Sequence, residues 1–126
     1  IPAGYTYTPF KTGQMSLMAF KQPSGIMVSR HWFPGDFARS VQTICDGLVR
    51  QNPTYNFGPE TSLGKIAAEA VRRDFTVEKQ GVQAKGVIVW FRTGRTRYQV
   101  LLNCPAQDFA SFATEYETVI ESLKIN

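Results

Sequence analysis

The sequence predicts an α+β fold, in which an antiparallel β-sheet is flanked by helices. In the second half of the chain, alternating apolar and polar residues are separated by glycine turns, as in antiparallel strands. Two other segments repeat apolar residues at three- and four-residue spacing, as in helices that pack on a sheet. A chain of 126 residues is long enough for one core, so we expect a single domain over 1–126.

The first half of the chain predicts an arm followed by a hairpin. Residues 1–13 mix Pro, Gly, Thr and aromatic residues without a period, which indicates an extended N-terminal arm. A strand from about Met15 to Phe20 and a second strand over Ile26–Trp32 are separated by a Pro-Ser-Gly turn at 23–25. These two strands are expected to pair.

A first helix is predicted after the Pro-Gly-Asp break at 34–36. Asp36 is a suitable N-cap, and the apolar residues that follow share one helical face: Phe37, Val41, Ile44, Cys45, Leu48 and Val49. The helix is predicted to end near Gln51-Asn52-Pro53, because a proline restricts the residue before it and supplies no amide donor. Residues 54–57 then form a short extended segment that Gly58 and Pro59 end.

The second half predicts a three-stranded meander and a closing helix. Residues from Lys65 have high helix propensity, but Val71, Phe75 and Val77 share one parity, which favours a long strand ending at Lys79. Further strands are predicted over 82–91 and 96–104. After Pro105 and Asp108, a single apolar stripe predicts a helix that packs on the sheet: Phe109, Phe112, Tyr116, Val119, Ile120 and Leu123.

The second half of the chain also resembles a known fold family. The segments SLGKIAAEAVRRDF, GVIVWFRTGRTRYQVLLNCPAQDF and YETVIESLKIN are similar to the closing half of the PsbP-like fold family. That family includes the PsbP extrinsic protein, bacterial PsbP-like lipoproteins, effector chaperones and a Ran-binding import factor. The resemblance implies an α/β/α sandwich and a non-catalytic binding or assembly factor that engages a protein partner, although a fold alone does not transfer a function.

Composition and charge narrow the class of protein. Hydrophobic residues make up 43% of the chain and charged residues 19%, which argues against disorder and against a membrane span. Fourteen Lys and Arg against ten Asp and Glu give a net charge of +4, which favours acidic partners. The basic residues do not form the stripe of a dedicated nucleic-acid-binding protein, so nucleic acid is not the expected partner.

The two cysteines and the first residue bear on the cellular location. Cys45 and Cys104 both fall at core-facing positions, which fits one disulfide as well as two buried thiols. The chain begins with Ile1 instead of Met, which indicates that something upstream has been removed: a targeting segment, part of a larger precursor or a sequence added for expression. Together with the family resemblance, these features predict an extracytoplasmic protein that is periplasmic, secreted or lipid-anchored through the removed segment.

The best local candidate for a binding site is a basic hairpin over 92–97. Guanidinium groups at such a tip can grip a carboxylate or a phosphate through paired hydrogen bonds. The candidate residues are Lys85, Arg92, Arg95, Arg97 and Tyr98. A charged turn that only keeps a sheet edge soluble is the more common case. A partner is therefore expected at this hairpin or on a face of the sheet, and anion or nucleic-acid binding by the arginines remains an alternative.

A second candidate is an aromatic group that could line a groove for a peptide or an apolar ligand. Its members are Tyr5, Tyr7, Phe10, Trp32 and Phe33. Residues of this kind more often cover the edge of a core.

Catalysis has little support in the sequence. His31 is the only histidine, and with Cys45 or Cys104 it could form the Cys/His pair of a small thiol-dependent hydrolase. The two cysteines belong to apolar patterns, however, which favours a structural role. These three residues are also too few and too scattered for a zinc site. We therefore expect a protein that is not an enzyme and needs no metal and no cofactor.

Overall fold

The computed structural model describes residues 6–9, 15–21, 24–32, 35–64, 69–93 and 96–123. Within these ranges the strands are β1 Thr6–Pro9, β2 Met15–Lys21, β3 Ser24–Trp32, β4 Asn56–Phe57, β5 Thr61–Ser62, β6 Glu69–Lys79, β7 Val82–Thr93 and β8 Thr96–Pro105. The helices are α1 Phe37–Gln51 and α2 Phe109–Ser122, and a single 3-10 turn, Ala106–Asp108, leads into α2. No helix among these residues is long and apolar enough to cross a membrane.

All the described strands belong to one antiparallel sheet. Its order is β1-β2-β3-β8-β7-β6-β4, and β5 also pairs with β6. The predicted β2-β3 hairpin and the predicted meander of β6, β7 and β8 are both present. Pairing of β3 with β8, in which Ile26 lies opposite Leu102, joins the two units. β8 therefore lies near the middle of the sheet.

The first strand differs from the predicted N-terminal arm. Residues 6–9 pair with β2 as the edge strand, with Thr6 opposite Phe20 and Pro9 opposite Leu17. Backbone hydrogen bonds form this pair, and an edge strand tolerates a proline that a central strand does not. The other residues of the predicted arm, 1–5 and 10–13, lie outside the described residues.

Local signals set both ends of α1. The Asp36 side chain caps the helix by accepting a hydrogen bond from the Arg39 backbone N–H at 3.2 Å. At the other end, the Asn52 backbone N–H donates to the Leu48 carbonyl, and Asn52 has an extended backbone. The Asn52 side chain also donates to the Glu78 carbonyl at 2.8 Å, so the end of the helix is tied to β6.

Alternation along the strands sends apolar side chains to both faces of the sheet. On β7, Ile88 and Trp90 face α1, whereas Val87, Val89 and Phe91 face α2. The core on the α1 side consists of Phe37, Val41, Cys45, Phe75, Val77, Ile88 and Trp90. The core on the α2 side consists of Ile26, Ala70, Val87, Val89, Phe91, Val100, Leu102, Cys104, Phe112, Tyr116 and Ile120. The predicted antiparallel α+β sandwich is confirmed.

Candidate functional site

Helix α1 covers only part of its side of the sheet. The sheet residues of the α1-side core come from β6 and β7. On β3 and β8 five positions of the same face carry half-buried side chains, whereas Arg97, the next position of β8 on this face, is buried. The five are Met27, Ser29, Gln99, Leu101 and Asn103. We call these five residues the open face. Leu101 packs against the edge of the α1-side core and marks the boundary between the covered and the open part.

Pairing in register places the open face beside the buried Trp90. Gln99 lies opposite Trp90 on β7 and opposite Ser29 on β3. The Trp90 indole N–H donates to the Gln99 side-chain oxygen at 2.8 Å. This bond satisfies a fully buried donor and fixes the Gln99 amide, whose NH₂ group has two further donors. The open face is therefore held in place by the core beneath α1.

Two glycines flank Asn103 and leave its neighbouring positions without side chains. Gly25 and Gly86 both lie opposite Asn103, on β3 and β7 respectively. A Cβ atom at Gly86 would lie 2.1 Å from the Leu102 carbonyl oxygen, so the close approach of β7 and β8 requires glycine there. Next to Asn103, a shallow cleft of about 200 Å³ contains Val82, which is 55% exposed. The open face thus ends at an exposed apolar residue.

Arg92 of the predicted basic hairpin is held by contacts within the fold. Its Nη2 donates a hydrogen bond to one Glu69 carboxylate oxygen at 2.9 Å, and its Nε forms an ion pair with the other oxygen at 2.7 Å. Its Nη1 donates to the Gly35 carbonyl, just before α1, and the group lies 6.0 Å from the Phe37 ring centroid. These contacts connect the start of α1 to β6 and β7. The Arg92 guanidinium is therefore already bonded to groups of the same protein.

The other residues of the predicted basic group are not all brought together. Arg97 lies opposite Arg92, is 8% exposed, and has its pKa lowered by burial. Lys85 lies on the α2 side, where its Nζ is 4.7 Å from the Phe109 ring centroid. Tyr98 also faces α2 and stacks on Phe91, with ring centroids 5.0 Å apart. Arg95 lies outside the described residues.

The aromatic groove remains a prediction. Tyr7 lies in the edge strand β1, and Trp32 is the last residue of β3, opposite Thr96. β2 separates these two strands. Tyr5, Phe10 and Phe33 lie outside the described residues.

The two cysteines lie on opposite faces of the sheet. Cys45 belongs to the α1-side core and Cys104 to the α2-side core, and both are buried free thiols. This placement favours the alternative of two buried thiols over the candidate disulfide. Burial raises the pKa of both thiols, and at Cys45 the nearby Arg73 guanidinium opposes this effect. Neither thiol has the exposed, low-pKa environment of a nucleophilic cysteine.

Metal binding has no support in the part of the chain that the structure describes. Among those residues, no three His, Cys, Asp or Glu side chains are grouped so that they could hold an ion.

Comparison with known proteins identifies the fold. No family model matches the sequence, and no curated protein matches it. Among solved structures, the chain superposes over its whole length on PA94 of Pseudomonas aeruginosa, a protein of unknown function described as a putative regulator. The TM-score is 0.72 with 17% sequence identity, and the match covers 89% of PA94.

Two further structures share the architecture. The cyanobacterial PsbP (CyanoP) of Synechocystis sp. PCC 6803 matches the whole chain and 84% of its own length, with a TM-score of 0.68 and 9% identity. LpqN of Mycobacterium tuberculosis, described as involved in cell envelope biogenesis, matches 98% of the chain and 77% of its own length. Its TM-score is 0.64 and its identity 14%. The chain therefore has a PsbP-like fold, as the sequence resemblance implied.

Proposed function

We propose that this protein is a non-catalytic binding or assembly factor that engages a protein partner through the open face. The proposal rests on one observation: helix α1 leaves part of the central strand β8 uncovered. β8 lies between β3 and β7, yet Gln99, Leu101 and Asn103 are only half-buried. Within the described residues, the α1-side core takes its sheet residues from β6 and β7 and includes β8 only through Leu101 at its edge.

The chemistry of the open face fits a protein partner. It combines apolar side chains, Met27 and Leu101, with hydroxyl and amide groups at Ser29, Gln99 and Asn103. Protein interfaces have this mixture, in which charged residues are depleted near the centre and methionine is enriched. Methionine also adapts its shape to an irregular partner surface. A shallow sheet face of this kind favours another protein over a small molecule, which binds in enclosed pockets.

The known proteins of this fold agree with the proposal. CyanoP is a PsbP protein, PA94 is described as a putative regulator, and LpqN is described as involved in cell envelope biogenesis. None of these descriptions names a reaction. The connection of LpqN with the cell envelope also supports an extracytoplasmic location for this chain.

A residue-specific cross-linking experiment tests the proposal. The three methionines of the chain, Met15, Met18 and Met27, all lie in β2 and β3. Replacing Met15 and Met18 by leucine leaves Met27 as the single site for photo-methionine, and such volume-conserving changes are well tolerated. Illumination in extracts of the source organism should cross-link a specific protein through Met27. The control chain with all three methionines replaced should give no product.

The cross-linked protein is then purified and its affinity measured. Ser29→Tyr places a bulky ring on the open face and should weaken binding by about ten-fold or more, since a misfit at an interface costs at least about 1.4 kcal/mol. Thr118→Tyr, at an exposed position of α2 on the other side of the sheet, is the matched control and should bind normally. Unchanged affinity of a folded Ser29→Tyr variant would overturn the proposal.

A further inference from the structure

We infer that the partner segment that docks on the open face is an amphipathic α-helix, which lies beside α1 in the same layer; this inference rests on the proposed function and names the kind of partner. The open face lies on β3 and β8, and α1 covers β7 and β6 on the same side of the sheet. The midlines of these two strand pairs are two strand spacings apart, about 10 Å. Helices that pack side by side have axes about 8 to 10 Å apart. The uncovered strands therefore leave the width of one helix next to α1.

Contacts of α1 show which of its flanks faces the open face. On one flank, Nη1 of Arg73 on β6 donates to the Cys45 sulfur at 3.9 Å. Ala38, seven residues before Cys45 and so on the same flank, lines a cavity with Glu69 of β6. Gly47 follows Cys45 by two positions, a turn of about 200° around the helix. Gly47 therefore lies on the opposite flank, towards β8 and the open face.

Gly47 has a residue type that the described part of the fold does not require. A glycine inside a helix is less stable than an alanine, and Gly47 lies within α1 without a positive φ. Among the described residues, a Cβ atom at this position would meet only the end of the Arg50 side chain, at 3.9 Å. Glycine also lets another backbone approach closely. Gly47 thus fits a close contact between α1 and a second helix on the open face.

The open face presents an apolar centre between polar ends, which matches one face of an amphipathic helix. Met27 and Leu101 lie opposite each other at the centre, the pair of Ser29 and Gln99 lies at one end, and Asn103 lies at the other. From Gln99 to Asn103 the strand rises by about 13 Å, the length of about nine helical residues. Apolar residues at positions i, i+3, i+4 and i+7 of such a helix would cover Met27 and Leu101.

The described helices of the chain do not offer this apolar stripe to a second copy. The outward face of α1 carries Arg39, Asp46 and Arg50, and the outward face of α2 carries Glu117 and Glu121, all of them exposed. Docking either helix on the open face of another copy would bury these charges against neutral groups, which costs free energy. The docking helix is therefore assigned to a different protein.

A second cross-linking probe tests the position of the docked segment. p-Benzoylphenylalanine replaces Thr43, an exposed residue of α1 one turn before Gly47, and in a control chain it replaces Ala38, exposed on the other flank. The probe at position 43 and photo-methionine at Met27 should label the same segment of the partner, and the probe at position 38 should label nothing in it. Labelled residues three or four positions apart indicate a helix, whereas labelling of every second residue indicates a strand and would overturn the inference.

A synthetic peptide with the sequence of the labelled segment tests its conformation. The peptide should bind this protein and gain the circular-dichroism signal of a helix on binding. Proline at its central position should weaken binding by about 100-fold relative to alanine at the same position, because proline breaks a helix. A peptide that binds without gaining helical signal would overturn the inference.

Substitutions at Gly47 test the contact with α1. Gly47→Ala should raise the midpoint of thermal unfolding by about 2 to 4 °C, because alanine is the better helix former and its Cβ has room. Gly47→Leu should fold but bind the peptide about ten-fold or more weakly, since its side chain occupies the place of the docked helix. Ala38→Leu, exposed on the other flank, is the matched control and should bind within about two-fold of the wild type.

The same samples separate failure of this inference from failure of the proposed function. If Ser29→Tyr weakens binding of the partner labelled through Met27 but Gly47→Leu does not, the open face is still the partner site and the helix beside α1 is wrong. If Met27 labels no specific protein, the proposed function fails at this face and the inference fails with it. Cross-links from Met27 to another copy of the chain, with a mass that rises with protein concentration, would assign the open face to self-association and overturn the inference.

Discussion

The hydroxyl groups of Ser24 and Tyr116, 92 positions apart in the chain, are joined by a buried hydrogen bond of 2.6 Å. The Tyr116 hydroxyl donates to the Asn103 carbonyl at 2.8 Å, so the Ser24 hydroxyl is the donor to Tyr116. One side chain of α2 thereby fixes the start of β3 and the backbone of an open-face residue on β8. The open face is therefore also supported from the opposite side of the sheet.

Tyr116→Phe should lower the free energy of unfolding by about 1 to 3 kcal/mol, because both hydrogen bonds are lost in a buried place while the ring can stay. Tyr98→Phe is the matched control. Its ring stacks on Phe91 but is half-buried, and we expect a change below about 0.5 kcal/mol. Urea unfolding of both variants gives the comparison. Equal losses would contradict the role assigned to the Tyr116 hydroxyl.

Gly86→Ala should destabilise the protein by about 1 to 3 kcal/mol, the usual range for forcing extra atoms into a packed interior. The added Cβ would lie 2.1 Å from the Leu102 carbonyl oxygen, a backbone atom that cannot move aside. Gly64→Ala is the control, since a Cβ there meets no atom within 4 Å. Thermal and urea unfolding measure the stability of the Gly86→Ala and Gly64→Ala variants. A Gly86→Ala variant as stable as the wild type would show that β7 and β8 can separate locally.

Elements with local signals could be predicted from the sequence. Helix α1 has the predicted bounds because Asp36 at its start and Pro53 beyond its end act on neighbouring backbone only. The β6-β7 turn was also predictable. Gln80 and Gly81 both have positive φ, 53° and 79°, and glycine adopts this conformation readily.

Elements that depend on distant partners could not be predicted. β1 has only four residues and ends in a proline, and β5 has only two residues, so both exist through pairing with neighbours. The choice between a disulfide and two buried thiols stayed open for a similar reason. Cys45 and Cys104 both have core-facing patterns, but which face of the sheet each helix covers depends on packing that the sequence does not display.

The open face had a partial signal in β8. Residues Arg97, Gln99, Leu101 and Asn103 alternate with the more apolar Tyr98, Val100, Leu102 and Cys104, which indicates one side less buried than the other. The sequence did not show that β8 is central, because its pairing with β3 joins residues about 70 positions apart, beyond the reach of turn and periodicity signals.

Glu117→Gln should remove part of the pH dependence of stability in acid. The Arg72 guanidinium bonds both carboxylate oxygens, at 2.6 and 2.9 Å, and lowers the pKa of Glu117. A lowered pKa in the folded state adds stability at neutral pH that is lost as the pH falls below about 4. Because the Glu117 side chain is half exposed, we expect at most about 1 kcal/mol at pH 7.

The measurement is urea unfolding from neutral pH down to about pH 3, where glutamate is largely protonated in unfolded chains. The difference between wild type and Glu117→Gln should shrink as the pH falls. Glu121→Gln, exposed on the same helix, is the control and should follow the wild type. If the difference in the free energy of unfolding between wild type and Glu117→Gln stays constant with pH, ionisation of Glu117 is not its cause.

The native protein should contain two thiols that react slowly with a thiol-specific reagent at neutral pH. Both cysteines are 3% exposed, and burial raises the pKa of each, so little reactive thiolate is present. In denaturant without reductant, two thiols per chain should react rapidly. The variants Cys45→Ala and Cys104→Ala should each show one. Absence of reactive thiols in the denatured wild type would instead demonstrate a disulfide.

Arg92→Ala should destabilise the protein by about 1 to 2 kcal/mol, because it removes the Glu69 ion pair and the bond to the Gly35 carbonyl before α1. Arg92→Lys should restore only part of this, since a single ammonium cannot serve both acceptors in the same geometry. Arg39→Ala, exposed on α1, is the control. Thermal unfolding ranks the four proteins, with Arg92→Ala expected to be the least stable.

The Arg92→Ala and Arg39→Ala variants also show whether Arg92 contributes to partner binding or only to stability. At a temperature where Arg92→Ala is folded, its affinity for the partner cross-linked through Met27 should be within about two-fold of the wild type, as expected for a residue outside an interface. The guanidinium is engaged by Glu69 and Gly35 and contributes to the open face only through the position of α1. Loss of binding in a folded Arg92→Ala protein, with Arg39→Ala unaffected, would move the partner site from the open face to the 92–97 hairpin.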